Sequence, residues 1–366
     1  MSFRILILGG YGNFGKIIAQ SLAQTPGISL TIAGRSPHKA QSFAARIGAA
    51  AIGMDINHDL EQTLRQLKPD IVIHTCGPFQ GQSYAVAQAC IRHRAHYIDI
   101  ADGRDFVCNI TQLDDAAQQA GLTIVSGASS VPALTSAIIE TYRHAFTTLT
   151  ALDYSISTAQ RTNPGLATTE AICGYAGKPF TTRQNGTITT IYGWQDLTHQ
   201  TYPELGKRWL ANCDVPDLAL FPQYYQGLRD IRFHAGLEVP LLHIGLWSLS
   251  WLVRAGLLSS LKPFASLMYK AARLFDRLGT DRSGFHMRLS GTGPDGASKS
   301  LTAYLITGSG HGPHIPCVPA IILARRLAAG TLKQTGAFPC MGMITLTDYL
   351  DELKGLDIQW YPPHTP

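Results

Sequence analysis

Charge is scarce in this 366-residue chain. Asp, Glu, Lys and Arg make up 15% of the residues, whereas hydrophobic residues make up 45%. This composition excludes long disordered or solvating tails, because such segments need much charge and little hydrophobicity. The net charge of +5 comes without a basic run or an alternation of basic and aromatic residues. We therefore expect no nucleic-acid partner, and an anionic small ligand is favoured instead.

Paired cysteines are also absent. The number of cysteines is odd and none forms a CxxC pair; they are residues 76, 90, 108, 173, 213, 317 and 340. This pattern excludes a disulfide framework or a zinc ribbon and indicates free thiols in a reducing compartment. The N-terminal MSFRILILGGYG runs directly into a strand and a glycine turn, so we expect no secretion signal and a cytoplasmic protein.

No apolar run is long enough to span a membrane. The stretch that comes nearest is LLHIGLWSLSWLV at 241–253, and Arg254 interrupts its extension. Together with the following AGLLSSL, the segment 241–261 leaves three interpretations open. It can be a core helix, a dimer face, or an interfacial helix that contacts a membrane peripherally and admits lipid-like substrates.

The first 146 residues alternate short apolar runs with helical patterns, as in successive βα units. Strands are expected at about 3–8, 28–33, 49–53, 70–74, 96–100 and 122–126, and helices near 13–25, 37–46, 58–67, 82–93, 105–119 and 131–144. This count predicts an α/β fold, a doubly wound parallel sheet of the Rossmann type.

The rhythm changes after Phe146. Alternating Thr-rich and aromatic-rich runs at 149–157 and 187–194 favour antiparallel strands, and the turn at 293–296 predicts a β-hairpin between 285–293 and 297–306. We therefore predict a mixed α+β second domain at 147–314 for the substrate and for dimerisation. A C-terminal helical segment at 315–366, with helices after Ile315 and near 346–354, is expected to pack back on the first domain.

The turn after the first strand carries the cofactor prediction. Gly10, Gly12 and Gly15 form GxGxxG, and Asn13 and Phe14 open the following helix. In such a βαβ unit the glycines permit a tight turn and the approach of a pyrophosphate, which the helix N-terminus favours. The alternative is a glycine-rich tight turn without a ligand.

The end of the second strand decides which dinucleotide is expected. A protein that selects NAD usually places Asp or Glu here, whereas this strand ends in Arg35 and Ser36, with Lys39 nearby. Arg35 can pair with a 2′-phosphate, Ser36 can donate a hydrogen bond, and Lys39 adds positive charge. We therefore predict NADP(H) over NAD(H); the alternative is a solvated arginine in a surface loop.

Two further strand ends are expected to contact the cofactor. Asp55 follows the third strand, where it can reach the adenine amine or serve as a polar cap of the next helix. The loop Cys76, Gly77, Pro78 and Phe79 follows the fourth strand and would border the ribose and nicotinamide. Cys76 has no identifiable basic partner, so we interpret it as a small residue beside the cofactor and not as a nucleophile.

Two residues are candidates for proton transfer. Asp102 follows the fifth strand on the ligand-binding edge of the sheet, with a helix cap as its alternative role. His311 lies between glycines, and histidine is a side chain suited to proton transfer at neutral pH; a structural loop histidine is its alternative role. His311 and His314 lack a third ligand of matching spacing, so no metal is predicted.

Several motifs together resemble the saccharopine dehydrogenase-like NADP-binding oxidoreductases. The resemblance rests on GGYGNFGK, AGRS, HTCGPFQGQ, HYIDIADG and SGASSVPAL within the first 145 residues. It implies a Rossmann domain, a mixed α/β domain that shapes the substrate cleft, and a homodimer. It also implies hydride transfer with imines, secondary amines or enoyl groups. The second domain lacks an obvious cluster of arginines for several carboxylates, which argues against the saccharopine reaction itself.

The sequence thus leaves two hypotheses. The first is an NADP(H)-dependent oxidoreductase that acts on a C=N or activated C=C bond of a small or lipid-like molecule. The second is a non-catalytic NADP(H)-binding sensor or a membrane-associated interaction protein.

Overall fold

The computed structural model describes residues 2–162 and 165–363. In its first 145 residues, strands and helices alternate as the apolar pattern predicts. The strands are β1 (Phe3–Leu8), β2 (Ile28–Gly34), β3 (Ala50–Gly53), β4 (Ile71–His74), β5 (His96–Asp99) and β6 (Thr123–Ser126). The helices are α1 (Asn13–Ala23), α2 (Pro37–Arg46), α3 (Leu60–Leu67), α4 (Ala85–Arg92), α5 (Arg104–Cys108), α6 (Asp114–Ala120) and α7 (Thr135–Tyr142).

Two of the predicted helices are interrupted. The helix expected over 105–119 is divided into α5 and α6 by a 3₁₀ turn at Asn109–Leu113. The helix expected over 131–144 begins with a π-helical segment at Ser130–Leu134, in which Val131 has the extended angles φ −119° and ψ 122°. A residue that precedes proline is driven out of the helical region, and Val131 precedes Pro132.

The middle of the chain contains most of the antiparallel structure. Its strands are β7 (Thr148–Thr158), β8 (Pro179–Gln184), β9 (Thr187–Tyr192), β10 (Thr198–Tyr202), β11 (Gly206–Asn212), β12 (Asp230–Leu237), β13 (Ser283–Thr292) and β14 (Ser298–Thr307). Its helices are α8 (Leu166–Tyr175), α9 (Asp217–Tyr224), α10 (Pro240–Arg254) and α11 (Ala265–Arg273).

The last part of the chain adds α12 (Val318–Ala328), β15 (Gly336–Pro339), α13 (Leu346–Glu352) and β16 (Ile358–Tyr361). The two predicted C-terminal helices are therefore confirmed, while the two short strands were not predicted. Among the described helices, none combines the length and apolar character that a bilayer crossing needs.

The chain divides into two compact units. The first comprises Met1–Ala137 and His314–Glu352, and the second comprises Ile138–Pro313 and Leu353–Pro366.

The first unit is built on a parallel sheet. Its strand order is β15-β6-β5-β4-β1-β2-β3, and all its pairings are parallel. Every residue of β4 and of β6 is buried, as expected for strands covered on both faces. The predicted Rossmann-type fold is confirmed, and β15 extends its sheet to a seventh strand beside β6.

The second unit contains a mixed sheet. Its order is β10-β11-β12-β7-β13-β14-β16, and β8 and β9 form a separate two-stranded sheet. The β13–β14 hairpin is confirmed. The antiparallel pairing expected for 149–157 is found between β7 and β13, whereas β7 pairs parallel with β12 on its other side. One face of the sheet packs through Ala211, Ala235 and Leu237 against a cluster formed with α8, α10 and α11.

Candidate functional site

The turn between β1 and α1 has the geometry of a phosphate cradle. Gly9 has a positive φ of 74°, and the amides of Gly9 and Gly10 donate to the Ala33 carbonyl oxygen at 2.9 and 3.2 Å. The Gly12 amide donates to the Gly9 carbonyl oxygen at 2.8 Å. By helix geometry, the amides in the first turn of α1, which begins at Asn13 and Phe14, are directed out of its N-terminal end.

Side chains are excluded from this cradle by sterics. A Cβ atom at Gly15 would overlap the Gly9 carbonyl oxygen and lie 2.8 Å from Gly10 Cα. A Cβ at Gly10 would lie 3.0 Å from Ile32 Cγ2, and one at Gly12 would lie 3.0 Å from the Gly9 oxygen. The three glycines therefore let α1 begin directly against the turn, which leaves room for a pyrophosphate.

Tyr11 ties this turn to the end of β2. Its hydroxyl accepts a hydrogen bond from the Ser36 amide at 2.9 Å. Its ring covers Gly34, where an added Cβ would lie 2.7 Å from Tyr11 Cζ. Tyr11 lies inside the glycine motif, but the spacing of the glycines does not indicate this contact.

The basic side chains that follow β2 are exposed. Ser36 caps α2, its hydroxyl oxygen accepting from the Lys39 amide at 3.4 Å, so its hydroxyl hydrogen can still donate to a ligand. Arg35 and Lys39 are exposed, and neither forms an ion pair with any residue in the described part of the chain. Three potential donors for an anion thus follow one strand.

The loop after β4 lies against the glycine turn. An added Cβ at Gly9 would be 2.8 Å from Thr75 Oγ1 and 3.0 Å from Cys76 Sγ. Burial raises the pKa of the Cys76 thiol to about 12, which disfavours the thiolate that a nucleophile requires. This agrees with the interpretation of Cys76 as a small residue.

The Gln82 side chain fixes this loop by donating to the carbonyl oxygens of Cys76 and Pro78 at 2.8 and 2.7 Å. Gly77, between those two residues, is exposed. Phe79 is buried, its ring 5.1 Å from the His74 ring.

The side chain of Asp55, after β3, is hydrogen-bonded within the turn in which it lies. Its Oδ1 accepts from the Asn57 amide at 2.9 Å and from Asn57 Nδ2 at 3.1 Å. Its amide donates to Asp59 Oδ2 at 2.8 Å, and Asp59, not Asp55, stands at the N-cap of α3.

Asp102, after β5, contacts the loop after β4. Gln80 Nε2 donates to Asp102 Oδ1 at 3.2 Å. Burial raises the pKa of Asp102, which favours the protonated form. The structure thus brings Asp102 together with the Cys76–Phe79 loop at the carboxyl ends of neighbouring strands.

A buried carboxyl group that the sequence analysis missed lies next to these loops. Asp99 is fully buried at the end of β5, and its Oδ1 accepts from the Ala101 amide at 2.9 Å, Ser126 Oγ at 3.0 Å and the Gly127 amide at 2.8 Å. Burial raises its pKa to about 6. Asp99 therefore fixes the loops after β5 and β6, and a lone acid within the apolar strand HYID was the available signal.

His311 belongs to the second unit. Its Nδ1 accepts from the Asp357 amide at 2.8 Å, so the ring links the loop at 308–311 to the segment before β16. This contact matches the alternative role of a structural loop histidine. In the described residues, no group of three or more His, Cys, Asp or Glu side chains is placed to hold a metal.

The face of the second sheet opposite Ala211, Ala235 and Leu237 contains polar side chains. His234, Ser155 and His286 are directly opposite one another on β12, β7 and β13. Ser155 Oγ lies 2.8 Å from His286 Nδ1 and 2.6 Å from the Tyr202 hydroxyl, and Ser155 and His286 are buried.

The neighbouring row on the same face contains arginines. Arg232 and Arg288 lie on either side of Asp153, in register across the same three strands. Two arginines that are distant in sequence thus share one row, and no local pattern of residues indicates this pairing.

A parallel sheet with a glycine cradle at its first strand-to-helix turn defines a dinucleotide-binding Rossmann domain. Residues 5–125 match the domain family described as Saccharopine dehydrogenase NADP binding domain. The first third of the chain is thus similar to saccharopine dehydrogenase-type NADP-binding domains, which confirms the resemblance and the cofactor NADP predicted from the sequence.

Solved structures support the same fold for both units. The apo saccharopine dehydrogenase (L-Glu forming) of Saccharomyces cerevisiae is similar with a TM-score of 0.69 at 14% identity, and the alignment covers 98% of this chain and 100% of that one. The homospermidine synthase of Legionella pneumophila, in complex with NAD, gives a TM-score of 0.62 at 13% identity and covers 99% and 92%. No curated protein matches this chain in sequence.

Proposed function

We propose that this protein is an NADP(H)-dependent oxidoreductase that transfers hydride to or from a C=N bond, as in imines and secondary amines, or an activated C=C bond. The observation that carries the proposal is the glycine cradle within a matched NADP-binding domain. The names of the two similar structures, a dehydrogenase and a synthase bound to NAD, agree with dinucleotide chemistry. The substrate is a small or lipid-like molecule.

The residues of this chain fit the cofactor as follows. The amides in the first turn of α1, from Asn13 to Gly15, would hold the pyrophosphate, and Arg35, Ser36 and Lys39 would hold the 2′-phosphate. Asp55 would lie near the adenine amine. Cys76, Gly77, Pro78 and Phe79 would border the ribose and nicotinamide. When bound, NADPH supplies the hydride.

We assign the proton transfer to Asp102. Its raised pKa favours the acid form, and its contact with Gln80 fixes the carboxyl group beside the Cys76–Phe79 loop. A reduced imine nitrogen needs a proton, which a carboxylic acid within hydrogen-bond reach can deliver. His311 is the weaker candidate, since its Nδ1 already accepts a backbone hydrogen bond.

The test is a screen of NADPH oxidation with imines, with keto acids plus amines, and with enoyl substrates. We expect turnover with at least one class. Asp102→Asn should lower kcat by about 10²-fold and leave NADPH binding unchanged. Asp105→Asn, an exposed neighbour, is the matched control. Tight NADPH binding without turnover of any class would contradict the proposal.

The second candidate is a protein that binds NADP(H) without turnover and acts at a membrane. The observation in its favour is the concentration of exposed apolar side chains between 240 and 278. Homodimer formation, which the resemblance implies, remains a prediction for light scattering to check.

A further inference from the structure

The second unit leaves many apolar side chains exposed in one stretch. Of the fourteen large hydrophobic side chains that are exposed among the described residues, ten lie between 241 and 278. They are Leu241, Ile244, Leu249, Trp251, Leu252, Leu257, Phe264, Leu267, Leu274 and Leu278. We call residues 240–278 the basic apolar surface. Contiguous exposed apolar patches of this kind mark interaction sites.

Helix α10 is apolar on both sides. Its buried side is formed by His243, Leu246, Ser250 and Val253, of which Leu246 and Val253 belong to the apolar cluster beneath. The opposite side exposes a stripe at helical spacing, Leu241 (64% exposed), Ile244 (39%) and Leu252 (37%). A surface helix of an ordinary globular protein would be polar on that side.

The next helix repeats the arrangement. Ala265 of α11 is buried in the same cluster as Leu246 and Val253. On the outer side of α11 and its flanks, Phe264 (45% exposed), Leu267 (67%) and Leu274 (82%) follow helical spacing. Leu257, in the connection between α10 and α11, is 72% exposed. Both helices therefore present apolar residues outward from one shared buried cluster.

The charges of this surface are almost all of one sign. Between 241 and 278 the basic residues are Arg254, Lys262, Lys270, Arg273 and Arg277, all exposed, and the only acidic residue is Asp276. Asp276 is paired with Arg273 at 2.9 Å. The surface therefore combines protruding leucines and a tryptophan with excess positive charge.

The combination of exposed apolar side chains and positive charge favours one kind of binding partner. Amphipathic helices that lie on bilayers carry Lys and Arg beside exposed Leu, Phe and Trp, and anionic lipid attracts the cations. A second copy of the chain is disfavoured, because a twofold interface would place the same five cations against themselves. We propose that the basic apolar surface docks this protein onto anionic lipid membranes, lying in the plane of the interface. The proposal does not depend on catalysis.

The experiment is co-sedimentation of the full chain with vesicles. One set contains phosphatidylcholine alone and the other contains phosphatidylcholine with phosphatidylglycerol. We expect sedimentation with the anionic vesicles, little with the neutral ones, and release by high salt. The triple variant Leu257→Ser, Leu267→Ser, Leu274→Ser should weaken partitioning onto the anionic vesicles on the order of 10²-fold. Each of Lys262→Gln and Lys270→Gln should weaken it roughly fivefold.

Controls separate this outcome from misfolding and from dimerisation. Ile188→Ser removes an apolar side chain that is 77% exposed on β9, outside the surface, and should bind vesicles like the unaltered protein. Urea denaturation of every variant checks the fold. No sedimentation with anionic vesicles, or equal sedimentation of the triple variant, would overturn the proposal. A dimer that the triple variant converts to a monomer, without vesicle binding, would instead assign the surface to a second copy.

Discussion

The two units assemble their polar groups in different ways. In the first unit, the candidate cofactor residues follow successive strands of a parallel sheet, so Gly10, Arg35, Asp55 and Cys76 come to one edge because each follows a strand end. In the second unit, the row of His234, Ser155 and His286 exists only because β12, β7 and β13 pair in one register. The first arrangement can be recognised from motifs, whereas the second requires knowledge of strand pairing.

The glycine cradle gives the largest expected effect. Gly15→Val would place a side chain against the Gly9 carbonyl oxygen and the Gly10 Cα, so α1 could no longer begin beside the turn. We expect NADPH affinity to fall on the order of a thousandfold, ~4 kcal/mol. Fluorescence titration with NADPH measures this. Gly174→Val, where an added Cβ meets nothing within 4 Å, is the matched control. Equal NADPH affinity of Gly15→Val and the unaltered protein would show that the glycine turn does not bind the cofactor.

Asp99 tests whether a buried carboxyl group makes the stability of the first unit depend on pH. Because burial raises its pKa from 3.8 to about 6, the folded state binds the proton more tightly than the unfolded state. The free energy of unfolding should therefore fall by about 3 kcal/mol as the pH rises from about 4 to above 6.

Asp99→Asn should abolish this decrease. Urea denaturation over that pH range measures it, with the exposed Asp105→Asn as control. If the free energy of unfolding changed with pH equally in Asp99→Asn and in the unaltered protein, protonation of Asp99 would not be the cause of the decrease.

Ser155 tests the register-dependent row of the second unit. Ser155→Ala would leave the Tyr202 hydroxyl and His286 Nδ1 without their common buried partner. We expect a loss of about 2 kcal/mol in the free energy of unfolding and unchanged NADPH affinity. Ser266→Ala, exposed on α11, is the control for denaturant titration. If both variants are equally stable, the row contributes no stability.

Arg35 gives the smallest of the four effects. Arg35→Ala should weaken NADPH binding about tenfold, ~1.4 kcal/mol, and leave NADH binding unchanged, because only NADPH has a 2′-phosphate. Arg46→Ala, which replaces an exposed arginine in the last turn of α2, is the control. An equal loss for both dinucleotides would assign Arg35 a role other than phosphate recognition.

Most of the first sheet could be predicted because its strands are buried on both faces and therefore form continuous apolar runs. Strand β15 was not predicted because its residues, Gly336 to Pro339, lie about 200 residues from its partner β6 in the chain. Nothing local to such a segment indicates which strand it joins.

The candidate site likewise combines residues that could be predicted from the sequence with residues that could not. The glycines and Arg35 belong to a motif whose mechanism is local. Tyr11 and Gln82 act through contacts to Ser36 and to the Cys76–Pro78 loop, which the spacing of residues does not reveal. The Arg232 and Arg288 row was invisible for the same reason as the Ser155 row: both depend on register between strands that are far apart in the chain.

The most direct test is a crystal structure of the protein soaked with NADP. We expect the pyrophosphate above the amides of the first turn of α1, from Asn13 to Gly15, and the 2′-phosphate within hydrogen-bond distance of Arg35 and Ser36. A dinucleotide bound elsewhere, or an empty turn in crystals of protein that binds NADP in solution, would contradict the account.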